Sequence, residues 1–151
     1  MKVTAKADYA VRAVLELAAA EGAVVKADRV AEAQAIPRHF LDNILTDLRR
    51  AGIVATLRGA EGGSRLARPA DEIALADIMR AIEGPLAAVR DVRPESLSYE
   101  GPAEKLPDVW IAVRASLRNV LERVTVADVA AGALPRHVVE LADDPEAWKP
   151  H

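Results

Sequence analysis

Residues 36–69 read IPRHFLDNILTDLRRAGIVATLRGAEGGSRLARP, and the punctuation of this stretch decides the fold. Pro37 biases Ile36 away from helix, yet suits the first turn of a helix that follows it. From about 37 to 50, Phe40, Leu41, Ile44, Leu45 and Leu48 recur at helical spacing and predict one buried stripe. Ala51-Gly52 closes that helix, with Gly52 at a left-handed cap. Ile53 to Leu57 is rich in β-branched residues and reads as a short strand. The glycines at 59, 62 and 63 mark a turn, Ser64 to Ala67 reads as the return strand, and Pro69 ends it.

Working outward, Tyr9, Val11, Ala13, Val14, Leu17 and Ala18 predict an amphipathic helix over about 4–21, with Thr4 as N-cap and Gly22 as its stop. Ala23 to Val25 is expected to be a short extended link. A second helix, about 27–34, turns Val30, Ala31 and Ala33 inward. Three helices followed by a β-hairpin is the order of a winged helix-turn-helix, with the hairpin as wing. On the other side, Ile73 to Glu83 is expected to form a fourth helix with Ile78, Met79 and Ile82 on one face, ended by Gly84-Pro85. Residues 86–106 look irregular. A long helix returns over 107–124, where Trp110, Val113, Leu117, Val120, Leu121 and Val124 keep helical spacing. A further short turn of helix is expected at 125–131, and a polar tail from Leu134.

The expected fold is therefore mainly α: a winged helix-turn-helix domain with a β-hairpin wing and a long C-terminal dimerisation helix. The expected division is 1–84 for the winged unit, 85–106 for a linker or effector loop, 107–132 for the dimerisation region and 133–151 for a tail.

The chain has 151 residues, 51% of them hydrophobic but only 3% aromatic, so its core must come from Ala, Val, Leu and Ile in closely packed helices. It has no cysteine, which excludes disulfides, thiolate metal sites and cysteine nucleophiles. No signal peptide or membrane span is expected, and the protein reads as cytoplasmic. The net charge of −3 conceals an asymmetry: residues 1–68 carry eleven basic and eight acidic side chains, the remainder nine and fifteen. The excess of +3 thus lies with the helix-turn-helix and −6 with the rest; such a split speaks of partners rather than fold.

The 36–69 stretch strongly resembles the signature of the Rrf-two (IscR-like) family of bacterial transcription regulators. Ile-Pro, an aromatic residue, Ile-Leu, Ala-Gly, Arg-Gly, Gly-Gly and Leu-Ala-Arg-Pro stand in the family's order. Asp8 to Ala13 is similar to its opening helix, and Ile73 to Gly84 to its Ile-x-Leu-x-Asp run. Two departures are Ser64, where the family usually has tyrosine, and Phe40, again in place of tyrosine. A third is chemical. The cluster-bearing branch has three cysteines after the fourth helix, whereas Ala87 to Leu106 has none, and Asp8, near a position that supplies a non-cysteine ligand in some members, has no thiolate partners. The resemblance implies the cysteine-free branch, with no cofactor and no iron–sulfur cluster.

It also implies a sequence-specific DNA-binding regulator, expected to be a repressor that binds a palindromic operator as a homodimer under a non-cluster signal. The third helix would enter the major groove. Arg38, His39, Asn43, Thr46 and Arg49 are its candidate DNA contacts, joined by Arg58, Gly59 and Arg65 of the wing. Asp42 and Asp47 repel phosphate and are expected off the backbone track. Val113, Leu117, Val120, Leu121 and Val124 are the candidate dimer contacts, and Tyr9, Tyr99 and Trp110 candidate walls of an effector pocket. His39, His137 and His151 are too scattered for a metal site. No nucleophile, phosphate loop or zinc motif appears, so an enzyme is not expected. The alternatives are control by a protein partner docking on Val92 to Leu106, or a protein-binding module without DNA.

Overall fold

The computed structural model describes residues 2–150. Helix α1 (Ala5–Ala19) is the hub. Its N-cap Thr4 accepts a hydrogen bond from the Ala7 N–H and donates to the Glu83 carboxylate, tying the start of α1 to the end of the fourth helix. Ala7, Ala10 and Ala13 are wholly buried, with Val14 and Leu17 beside them. These small side chains let neighbouring helices approach α1 closely, which answers the scarcity of aromatics.

Helices α2 (Ala27–Gln34) and α3 (Arg38–Arg50) pack on α1. Between them Ala35 takes a left-handed conformation and Ile36 is buried ahead of Pro37. Arg12 of α1 donates to the Gln34 carbonyl, satisfying an orphan acceptor at the end of α2. The buried stripe of α3 is Leu41, Ile44, Leu45 and Leu48. Two expected inward residues are not inward. Phe40 is 44% exposed, since it falls about 100° around the helix from Leu41, and it meets Tyr9 edge-on with ring centroids 6.1 Å apart. Ala33 is exposed on the short α2, which buries only Val30.

Strands β1 (Val54–Leu57) and β2 (Gly63–Leu66) form the antiparallel wing, with Ala55 opposite Arg65 and Thr56 opposite Ser64. The link after α1 joins them: Val25 and Ser64 exchange two backbone hydrogen bonds of 2.8 Å. Ser64 points inward, 4% exposed, while Arg65 points out. A Cβ on Gly63 would lie 2.4 Å from the Val25 carbonyl oxygen, so the backbone pairing requires glycine there. Gly63→Ala is expected to lower stability by about 2–3 kcal/mol, the cost of a clash with backbone plus weakened buried hydrogen bonds. Denaturant titration checks this; a loss below about 0.5 kcal/mol would contradict it.

The fourth helix, α4 (Leu75–Glu83), starts later than expected. A 3-10 turn over Ala70–Glu72 precedes it, and Ile73 is extended and fully buried. Ala76 and Ile78 are its buried residues, while Met79 and Ile82 are only half-buried. The stretch from Gly84 to Lys105 is irregular apart from 3-10 turns at Pro94–Ser96 and Gly101–Ala103. Helix α5 (Leu106–Leu121) ends short of Val124.

Beyond α5 the chain returns to the winged unit. The Leu75 N–H donates to the Val124 carbonyl and the Val126 N–H to the Ile73 carbonyl, both at 2.9 Å. Helix α6 (Val126–Ala131) then packs on α1, capped reciprocally by Thr125 and Asp128. Residues 124–131 thus complete the core that residues 1–84 begin. The expected polar tail instead holds an eight-residue helix, α7 (Arg136–Asp143), started by Pro135 and spanned by an Arg136–Glu140 pair at 2.6 Å. A 3-10 turn over Pro145–Trp148 follows. Among the described residues no helix is long and apolar enough to cross a membrane.

Candidate nucleic-acid interface

The N-terminal turn of α3, the start of α2 and the wing converge on one cleft. It is lined by Lys26, Ala27 and Asp28 from the α2 end, Arg38 from α3, and Gly59, Ala60, Gly62 and Gly63 from the wing. Gly59 has φ +103°, a left-handed value the turn needs and side chains resist. Arg38 is held from two sides: its Nε donates to Asp28 at 2.8 Å and its Nη1 to Asp42. These carboxylates, Asp28 first, stabilise the charged guanidinium and raise its pKa above the usual arginine value. Nη2 makes no hydrogen bond among the described residues. Asp42 is therefore a partner of Arg38 rather than a free repulsive charge.

Along the outer face of α3 a second shallow cavity of about 400 Å³ gathers Asn43 and Thr46 with Lys6, Phe40, Asp47 and Arg50. Lys6 pairs with Asp47 at 2.7 Å, which neutralises the second acidic residue of the helix. The Thr46 hydroxyl donates back to the Asp42 carbonyl. His39 is exposed and lies against Phe40, with centroids 4.6 Å apart. Arg49 is exposed in the last turn, eleven residues and therefore roughly 16 Å along the axis from Arg38. It suits a phosphate better than a base read by the helix start. On the wing, Arg58 and Arg65 are exposed and have no ion-pair partner among the described residues.

Sequence reading missed Lys6, Lys26 and Arg50. The first two come from α1 and from the cap of α2, and only the packing of these helices brings them beside α3.

The expected dimer residues separate into three groups. Val113 and Val120 are half-buried, and share a stripe with Val109, which is 52% exposed and was not anticipated. Leu117 and Leu121 lie three and seven residues beyond Arg114, on the side of α5 that meets its own linker. Val124 is 2% exposed inside its own protomer and is withdrawn from any partner. The expected effector residues come from three parts of the fold, Tyr9 from α1, Tyr99 from the linker and Trp110 from α5. Tyr9 sits under Arg12 and beside Phe40 in the winged unit. Tyr99 and Trp110 are half-buried, and none of the three lines the cavity beside the linker.

Comparison with known proteins gives one family. The Rrf2 family model, described as an iron-dependent transcriptional regulator, matches residues 3–132. A Mycobacterium tuberculosis chain named as an HTH-type transcriptional regulator, Rv1287, is 58% identical over 145 residues, covering 95% of this chain and 90% of that one. The HTH-type transcriptional regulator CymR of Bacillus subtilis is 33% identical over 132 residues, covering 87% of this chain and 91% of its own. The solved structure of CymR, titled the global cysteine regulator of that organism, superposes with a TM-score of 0.72 over 87% of this chain and 98% of that chain. T. potens IscR superposes at 0.67 with 33% identity, over 100% and 93%.

The family description names iron, and the donor set here does not fit an iron–sulfur cluster. The chain has no thiolate, and among the described residues no three His, Asp or Glu side chains gather as ligands. Glu95, in the segment where the cluster-bearing branch has its cysteines, is paired with Arg114.

Proposed function

The chain belongs to the Rrf2 family of transcriptional regulators, and from that premise we propose that it is a cytoplasmic repressor binding a palindromic operator as a homodimer. That it is a DNA-binding regulator rather than an enzyme follows from the family and its relatives. The observation that carries the finer reading is the cleft in which Arg38 meets the wing glycines, flanked by the unpaired Arg58 and Arg65. A recognition helix and a wing on one face match a major groove and its adjacent backbone.

In this reading Arg38, oriented by Asp28 and Asp42, offers its remaining amino group to a base, with His39 and Asn43 beside it. Thr46, Arg49, Lys6 and Arg50 hold phosphates along the helix. Arg58 and Arg65 hold the wing, and Gly59 lets a phosphate come close. Phosphate contacts position the protein and base contacts specify the sequence.

The dimer rests on α5. None of its 16 residues is fully buried in the protomer, although the helix carries Val109, Val113 and Val120 on one stripe. An amphipathic helix left this open gains by meeting a second copy. The dimer sets two recognition helices about 34–36 Å apart, one turn of DNA. We further propose residues 85–106 as the segment through which a signal reaches this spacing.

Fluorescence anisotropy on the gene's own upstream DNA, with random duplex as competitor, tests the reading. Competitor-resistant binding supports it; binding that random DNA abolishes overturns sequence recognition. Arg38→Ala is expected to cost about 1–3 kcal/mol on the operator and almost nothing on random DNA. Equal losses on both would make Arg38 a phosphate contact.

A further inference from the structure

Between the end of α4, the linker and α5 lies a cavity of about 370 Å³. Four arginines line it: Arg80 from α4, Arg93 from the linker, and Arg114 and Arg118 from α5. Glu95 is the acidic residue of its wall, and the fully buried Pro94 forms part of its floor.

The charges do not cancel. Glu95 binds Arg114, whose side chain is only 15% exposed. Glu122, outside the wall, serves both Arg80 and Arg118, the latter at 3.6 Å. Two carboxylates therefore face four guanidiniums, and Arg93 has no carboxylate within ion-pair reach among the described residues. Arg80 suits the last turn of α4, whose carbonyl end favours a cation, but that field offsets only part of a charge. The pairs of Arg80 and Arg118 with Glu122 are open to solvent, and such pairs contribute little to stability, so only the more buried Arg114–Glu95 pair is explained as a fold element. Four convergent guanidiniums over an apolar floor, with an excess of two positive charges, match a small ligand carrying two negative charges. The volume is in the range of small-molecule sites.

We propose that this cavity binds a small dianion, a phosphate group or a dicarboxylate, through Arg93, Arg114 and Arg118. Glu95 competes with the ligand for Arg114 and is displaced when it binds. Binding itself does not depend on DNA. Its consequence for the operator rests on the reading above, because the ligand bridges the winged unit and α5.

Isothermal titration of the full chain without DNA separates the two. Inorganic phosphate and succinate are titrated in turn, each against sodium chloride of equal ionic strength. Saturable binding of phosphate alone assigns the site to phosphate compounds, and of succinate alone to dicarboxylates. Arg93→Ala, at an unpaired residue that leaves the fold intact, is expected to weaken the bound anion about 10-fold or more, the loss of one charged hydrogen-bonding partner. Glu95→Gln is expected to tighten it about 3-fold, by freeing Arg114. No saturable binding of either anion, or unchanged affinity in Arg93→Ala, overturns the proposal. Loss of operator binding with anion binding intact would touch only the DNA reading.

Discussion

Replacing Arg58 and Arg65 together with alanine is expected to weaken binding to operator and random duplex alike, by about 100-fold near 0.1 M salt. Neither arginine is held in an ion pair among the described residues, although Glu61 stands at the tip of the same hairpin, so both guanidiniums are available to a phosphate. Losing two phosphate contacts also removes about 1.8 from the magnitude of the log–log salt slope. The proportional loss on both duplexes is the signature of positioning rather than reading, opposite to that expected for Arg38. The fold should not change, because neither side chain is buried or paired. A melting temperature within about two degrees of wild type confirms that binding, not folding, was altered. A variant that loses only operator binding would place the wing on base edges and overturn this assignment.

Val113→Glu should be comparably severe by a different route. Val113 lies on the open stripe of α5 between Val109 and Val120, and in the proposed two-fold dimer the substitution would put a carboxylate opposite its own copy. Sedimentation is expected to show a monomer at concentrations where wild type is a dimer. Operator affinity should fall about 100-fold or more, since the second half-site no longer profits from the first being bound. Affinity for an isolated half-site should hold, because α3 and the wing are untouched. A Val113→Glu chain that stays dimeric would move the interface elsewhere, with α7 and its exposed Val139 and Leu141 as the next surface to test.

Where the chain announces its turns with proline and glycine, the fold was legible from the residues. Pro37, Gly52 and the three wing glycines bounded α3 and the hairpin to within a residue or two, and Thr4 marked the cap of α1. The misplaced core residues share one cause: helical spacing does not say which contacts are tertiary. Phe40 fits the apolar pattern of α3 but stands at its edge, where Tyr9 is its cover. Ile73 and Val124 fit the helices they adjoin, yet each belongs to extended backbone whose partners are distant in sequence, Val126 for Ile73 and Leu75 for Val124. Helix α7 was hidden by its brevity and polarity.

The residues of α3 and the wing proposed to face DNA lie close together in sequence, so a motif can name them as a set. Lys6 and Lys26 reach the same face from other helices. The arginine cavity was illegible for the same reason, since Arg80 and Arg118 are 38 positions apart and no motif joins them. The aromatic trio proposed for an effector was chosen by residue type, and type says nothing about proximity.

The return of residues 124–131 to α1 bears on how such a regulator can be taken apart. The winged unit is threaded: its last structural piece arrives only after the chain has passed through the linker and α5. A fragment cut at Gly84 would leave the Leu75 N–H and the Ile73 carbonyl bare, and would open the core where the fully buried Val126 sits. Module exchange between regulators must therefore carry residues 1–131 as one piece. In the same way α5 is moored at both ends, by the linker on one side and by Val124 on the other, so a tilt imposed on it pulls directly on the helices that hold α3.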